Sequence, residues 1–140
     1  MTIQKNISLK PYNTFGIDAK AAEFVEIKTE GKIVELIKSG VLAGKKSLIL
    51  GGGSNIVFTQ DYDGLVVHMA TKGIEFVEAQ GETSLLAAQA GEVWSDFVHQ
   101  TISQGYSGLE NLAGIPGTVG AAPVQNVGAY GREAKDVIHS

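Results

Sequence analysis

From Glu23 to Thr29 charged and apolar residues alternate, with Phe24, Val25 and Ile27 apolar, which predicts a half-buried strand. Ile33, Leu36 and Ile37 then share one face of a predicted helix over Glu30 to Ser39, with Thr29 placed to cap it and Gly40 to stop it. Ser47 to Leu50 is a short apolar strand that runs directly into Gly51-Gly52-Gly53-Ser54-Asn55. Ile56 to Phe58 and Leu65 to Met69 read as further strands, separated by the turn-like Asp61-Tyr62-Asp63-Gly64. Residues 1–21, with Pro11 and Asn13, read as irregular. The strand–helix–strand rhythm is a βαβ unit, so about the first 70 residues form a small α/β lobe.

Beyond that point the pattern changes. Gly73 to Gln80 and Thr83 to Ala90 predict two strands joined as a hairpin by Gly81-Glu82. Glu92 to Gln104 is the clearest helix: Val93, Trp94, Phe97, Val98 and Ile102 fall at helical spacing, and Gly105 ends it. A glycine-rich stretch runs from Gly105 to Gly131. Lys135 to His139 reads as the beginning of a strand, so the expectation is a truncated polypeptide with a second lobe, about 71–140, left incomplete. The fold class is α/β in the wider α+β sense.

Composition narrows the function classes. With 44% hydrophobic and 19% charged residues among 140, the chain is a folded globule. Its net charge is -4, and Lys45-Lys46 is its sole adjacent basic pair, so nucleic-acid binding has no electrostatic footprint. An anionic ligand would have to be held by backbone N–H groups. The absence of cysteine excludes disulfides, thiolate metal sites and cysteine nucleophiles. No apolar signal core opens the chain, and no run approaches the roughly 20 apolar residues of a membrane span. The expectation is a cytoplasmic protein without a membrane partner.

The candidate chemistry lies in the two glycine-rich loops. A tight turn after a buried strand can aim successive N–H groups of Gly51, Gly52 and Gly53 into one concavity, a nest for phosphate oxygens, with Ser54 and Asn55 adding side-chain donors. The plainer alternative is an ordinary strand-ending turn. The dinucleotide fingerprint fails because Ile56 stands where its third glycine belongs, and Gly40 to Ser47 lacks the spacing and context of a P-loop. In the second loop, Ile115-Pro116-Gly117-Thr118-Val119-Gly120 sets a proline-fixed turn, and Ala121-Ala122 keeps side chains minimal. Val124, Gln125, Asn126 and Tyr130 then add an apolar step, two amides and an aromatic, a set suited to a flat heterocycle. The alternative is a tightly packed Ω-loop. His68, His99 and His139 form no metal-ligand cluster, and Glu110 reads as a residue with local turn hydrogen bonds.

Asn13-Thr14-Phe15-Gly16, LILGGGSN, Gly108-Leu109-Glu110-Asn111-Leu112 and IPGTVGAAPVQNVGAYG together resemble the UDP-N-acetylenolpyruvoylglucosamine reductase (MurB) family, in order and approximate spacing, over its N-terminal part. The resemblance implies a two-lobed FAD-binding domain of the PCMH/MurB type, with flavin lying between the lobes and bound non-covalently. It implies that Gly51, Gly52, Gly53, Ser54 and Asn55 receive the FAD pyrophosphate. Ile115, Pro116, Gly117, Thr118 and Gly120 match the second cofactor loop, Val124 and Gln125 lie near the flavin, and Tyr130 lies near the substrate. Members often carry hydroxyl residues where this chain has Ala121 and Ala122, which leaves backbone N–H groups to bind there. The implied activity is NADPH-dependent reduction of UDP-N-acetylglucosamine enolpyruvate to UDP-N-acetylmuramate in peptidoglycan synthesis. The family's catalytic residues have no match in these 140 positions, so no catalytic residue is assigned and the isolated chain is expected not to turn over. The alternatives are a non-catalytic flavin- or nucleotide-binding module and a fragment of a related flavin oxidase. Gly53→Val is expected to weaken FAD binding while the fold survives.

Overall fold

Alternating side chains give the first sheet two buried faces. β1 (Gln4–Ser8), β2 (Lys20–Ile27), β3 (Ser47–Leu50) and β4 (Tyr62–Met69) form it in the order β1-β2-β4-β3. β1 is antiparallel to β2, whereas β4 is parallel to both β2 and β3. Helix α1 (Glu30–Lys38) covers one face by packing Leu36 with Val25, Ile27, Leu65 and Val67. On the opposite face Leu9, Ala21, Phe24, Leu50, Phe58 and Val66 cluster. A bulge between Ala21 and Glu23 keeps Ala21 on the Phe24 face despite the odd spacing. The computed structural model describes residues 2–139, and the chain divides into two compact units, Met1–Thr71 and Lys72–Ser140.

Several local expectations change in this first unit. The N-terminal stretch holds β1 and a 3₁₀ turn, Lys10–Tyr12. Ile56 to Phe58 joins no strand, although Phe58 is buried in the core. The expected turn at 61–64 is largely the start of β4: Tyr62 pairs with Ala21, and the Asp61 carboxylate accepts the Lys20 N–H at 2.8 Å. Thr29 occupies the N-cap position of α1 with extended backbone, but its hydroxyl makes no capping bond. Beyond α1, Gly40 takes φ +68°, and its N–H donates to the Ile37 carbonyl.

In the second unit β5 (Ile74–Gln80) and β6 (Thr83–Ala88) form an antiparallel hairpin. Helix α2 (Trp94–Ser103) buries Trp94, Val98 and Thr101, while Val93 and Ile102 are exposed. The stripe is therefore narrower than the apolar pattern suggested. Thr101 is tolerated inside because its hydroxyl donates to the Val98 carbonyl at 2.8 Å. Trp94, Val98, Leu112, Ala122, Val127 and Ala134 make the core, with Phe97, Ile115 and Val119 packed against it. Strands β7 (Gly128–Ala129) and β8 (Arg132–Glu133) form a small ribbon. The strand expected over 135–139 is absent. A 3₁₀ turn, Ala134–Asp136, stands at its start, closed by reciprocal capping between Glu133 and Asp136.

Candidate functional site

The GGGSN turn leaves the sheet where β3 ends, and Leu50, the residue before it, is paired with His68 near the end of β4. All three parallel strands point the same way, so the turn stands at their carboxyl ends, the usual ligand edge of such a sheet. What holds the turn there is a second motif. The Asn13 side chain is buried; its Nδ2 donates to the carbonyls of Leu9 (2.7 Å) and Ile17 (3.0 Å), and its Oδ1 accepts the Ile17 N–H (2.9 Å). This closes residues 13–17 into a rigid buttress. Thr14 N–H then donates to the Gly53 carbonyl at 3.2 Å.

Gly53 has no room for a side chain. Its φ is +64°, and a Cβ there would lie 2.0 Å from the Tyr12 carbonyl oxygen and 2.8 Å from Asn13 Cα. The close approach that glycine permits is thus to the chain's own backbone. Asn13-Thr14-Phe15-Gly16 therefore has a function that reading the motif did not disclose: it is the seat of the GGGSN turn. With that seat in place, the N–H groups of Gly51, Gly52 and Gly53 donate to no main-chain carbonyl. Gly52 is exposed, Gly51 half-buried and Gly53 buried, so the turn presents its outer N–H groups first. These are donors a phosphate can use.

The second loop is laid along the start of α2. Gly117 and Glu92 carbonyls accept from Trp94 (3.0 Å) and Val119 (2.9 Å), and Gly120 N–H donates to Ala90 at 2.9 Å. A Cβ at Gly120 would sit 2.6 Å from Ala90 Cβ, so glycine here is again a packing requirement. The N–H groups of Ala121 and Ala122 both donate to the Thr118 carbonyl at 3.0 Å. That overturns the expectation that backbone N–H groups at Ala121 and Ala122 take the place of the missing hydroxyls, because they are already engaged. Outside this backbone bonding stand the N–H groups of Gly117 and Thr118. Thr118 itself is buried, with its hydroxyl oxygen lacking any hydrogen-bond partner.

Of the other positions singled out in sequence, Ile115 packs its side chain into the core beneath the loop. Val124 is 86% exposed and Tyr130 89% exposed; Gln125 is exposed as well. Tyr130 and Gly131 form the two-residue turn between β7 and β8, with φ +52° and +78°. Glycine suits that conformation, whereas an aromatic residue in it is strained. Glu110 accepts the Gly108 N–H at 2.8 Å, and its own and the Gly108 backbone N–H groups hold its carboxyl below the usual carboxylate range. It is a turn-closing carboxylate, as its position in the sequence suggested. His99 is exposed on α2. Among the described residues no group of three or more His, Cys, Asp or Glu is arranged to hold a metal ion, and no helix is long and apolar enough to cross a membrane.

The parallel strands with a glycine turn at their carboxyl edge in one unit, and the helix with its glycine-rich loop in the other, make this an α/β protein. The FAD binding domain family matches residues 21–140, and the chain belongs to that family. It is 54% identical over 138 residues to the UDP-N-acetylenolpyruvoylglucosamine reductase of Neisseria gonorrhoeae, covering 99% of this chain and 40% of the relative. It is 47% identical over 140 residues to the reductase of the same name from Flavobacterium johnsoniae, covering 100% of this chain and 41% of that protein. The crystal structure of UDP-N-acetylenolpyruvylglucosamine reductase (MurB) from Thermus caldophilus superimposes with a TM-score of 0.69 at 25% identity, over 95% of this chain and 45% of that one. The chain spans about 40% of the length of the curated relatives it matches.

Proposed function

We propose that this chain is the FAD-holding part of a reductase that converts UDP-N-acetylglucosamine enolpyruvate to UDP-N-acetylmuramate at the expense of NADPH. FAD, when bound, supplies the redox centre that relays hydride from NADPH to the enolpyruvyl double bond. The chain's own residues hold and orient it. Gly51, Gly52 and Gly53 offer main-chain N–H groups to the pyrophosphate, with Ser54 and Asn55 beside them. Gly117 and Thr118 offer the second set of donors, in the loop that includes Ile115, Pro116 and Gly120. Val124 and Gln125 are assigned to the flavin side and Tyr130 to the sugar-nucleotide side.

The observation that carries this reading is the Thr118 hydroxyl, buried and without a partner beside the unengaged N–H groups of Gly117 and Thr118. An unmet buried donor of this kind costs about 1–3 kcal/mol, which a polar ligand atom would recover. The strain at Tyr130 points the same way, since residues held in unfavoured backbone conformations gather at ligand sites. No residue of this chain is assigned as proton donor, so FAD binding without turnover is the property ascribed to it. The protein that carries this chain is placed in the cytoplasm by the same reading, with a UDP-sugar as its small-molecule partner.

Titrating FAD into the purified chain, with flavin fluorescence as the readout, tests this directly. The expected result is saturable binding of one FAD per chain, competed by ADP and not by riboflavin, because the pyrophosphate is the group gripped. Failure of FAD to saturate, or competition by riboflavin alone, would contradict the assignment.

A further inference from the structure

His68 lies outside every motif considered so far, yet the fold places it under the GGGSN turn. Leu50, the last residue before the turn, is its partner on β3, and Glu26 is its partner on β2. Its side chain is 18% exposed and lies on the same sheet face as Phe24 and Val66. The imidazole meets the Tyr12 ring edge-on at 4.8 Å between centroids and stacks beside Phe24 at 6.1 Å. Its Nδ1 is buried without a hydrogen-bond partner, with Glu26 Oε1 3.6 Å away, beyond hydrogen-bonding reach. Tyr12 is the residue whose carbonyl oxygen Gly53 rests against. A continuous line of contacts therefore runs from the imidazole through Tyr12 to the glycine turn.

We propose that His68 is a positioning residue for the GGGSN turn, acting through Tyr12, and that charging its imidazole loosens the turn's hold on FAD. The proposal rests on the flavin reading above. The groups facing His68 decide the direction. On β2 the Glu26 carboxylate attracts an imidazolium, and Lys28, 2.6 Å from Glu26 on its other oxygen, repels it. From the 3₁₀ turn comes Tyr12, and from β3 the apolar Leu50. A charged ring in this setting gains by closing the 3.6 Å gap to Glu26, and any such movement disturbs its 4.8 Å edge contact with the Tyr12 ring. A neutral ring has no such pull and stays as packing. Burial pushes the imidazole below the usual histidine range, against the opposing influence of Glu26, which agrees with a neutral ring at rest. Because the folded protein resists protonating His68, the stability this group contributes is complete above the unfolded value of about 6.5 and is lost as pH falls from there through the lower folded value.

The test uses the whole chain. In the ligand-free protein, amide resonances of Thr14 and Gly53 are followed with the His68 ring resonance as pH is lowered. All are expected to move with one midpoint, below the usual histidine range. Amides at Thr14 and Gly53 that stay still while His68 titrates would overturn the proposal. With FAD, the dissociation constant is expected to rise about tenfold as His68 becomes protonated. His68→Gln should abolish that dependence while His99→Ala keeps it; a dependence that survives His68→Gln would also overturn it. A chain that binds no FAD at any pH would sink the flavin reading itself, and the ligand-free amide titration would still decide the role of His68.

Discussion

Gly53→Val is expected to destabilise the first unit severely even when no ligand is present. The new Cβ would lie 2.0 Å from the Tyr12 carbonyl oxygen, a main-chain atom that cannot rotate away. Tyr12 and Asn13 are themselves fixed, because the buried Asn13 amide bonds Leu9 and Ile17. A β-branched residue must also hold φ near +64°, which costs about 1–3 kcal/mol in strain. Overpacking adds about 1–3 kcal/mol. Together they amount to a large share of the roughly 5–15 kcal/mol that stabilises a typical domain. Urea unfolding of the ligand-free chain checks this: the midpoint should fall steeply relative to wild type. An unchanged midpoint would mean that Gly53 does not bear on the 12–13 backbone. The result differs from what the glycine pattern alone suggests, namely a lost ligand with an intact fold, because the tight approach is within the chain.

The second large effect is expected at Trp94. The ring is 4% exposed, its Nε1 donates to the Leu112 carbonyl at 2.9 Å, and Phe97 stands 6.0 Å away between ring centroids. Trp94→Ala should cost about 3–5 kcal/mol through the cavity it opens. Trp94→Phe keeps much of the volume but leaves the Leu112 carbonyl unpaired, a loss of about 1–3 kcal/mol. Ile115 and Val119 pack against the same core, so the loop that carries Thr118 would lose its floor. Thermal unfolding followed by circular dichroism should rank wild type above Trp94→Phe and that above Trp94→Ala. Equal stability of the two variants would show that the hydrogen bond to Leu112, not the volume of the ring, is what Trp94 contributes.

β2, β3, the later part of β4, the β5–β6 hairpin, both helices and both glycine loops were legible because each has a local signature: alternation in β2, 3.6-residue spacing in α1 and α2, and glycines after β3. What escaped was long-range. β1 has few apolar residues and an Asn6 at φ +54°, and it exists because β2 offers an edge to pair with. The seat formed by Asn13 is invisible locally, since its purpose appears only when Gly53 arrives from forty residues further on. The engaged amides of Ala121 and Ala122 follow from how that loop turns back on Thr118, which composition does not specify. His68 looked like a strand-end residue; its place beneath the turn depends on the β2-β4-β3 order, which a strand–helix–strand rhythm leaves open.

We propose that the main-chain N–H groups of Gly51, Gly52 and Gly53, and those of Gly117 and Thr118, each contact FAD. Amide chemical-shift mapping of the chain during FAD titration measures that most directly. The expected result is that Gly51, Gly52, Gly53, Gly117 and Thr118 shift together with a single saturation curve, while Ala121 and Ala122 move least among the residues of the second loop. Shifts confined to one of the two loops, or led by Ala121 and Ala122, would contradict it.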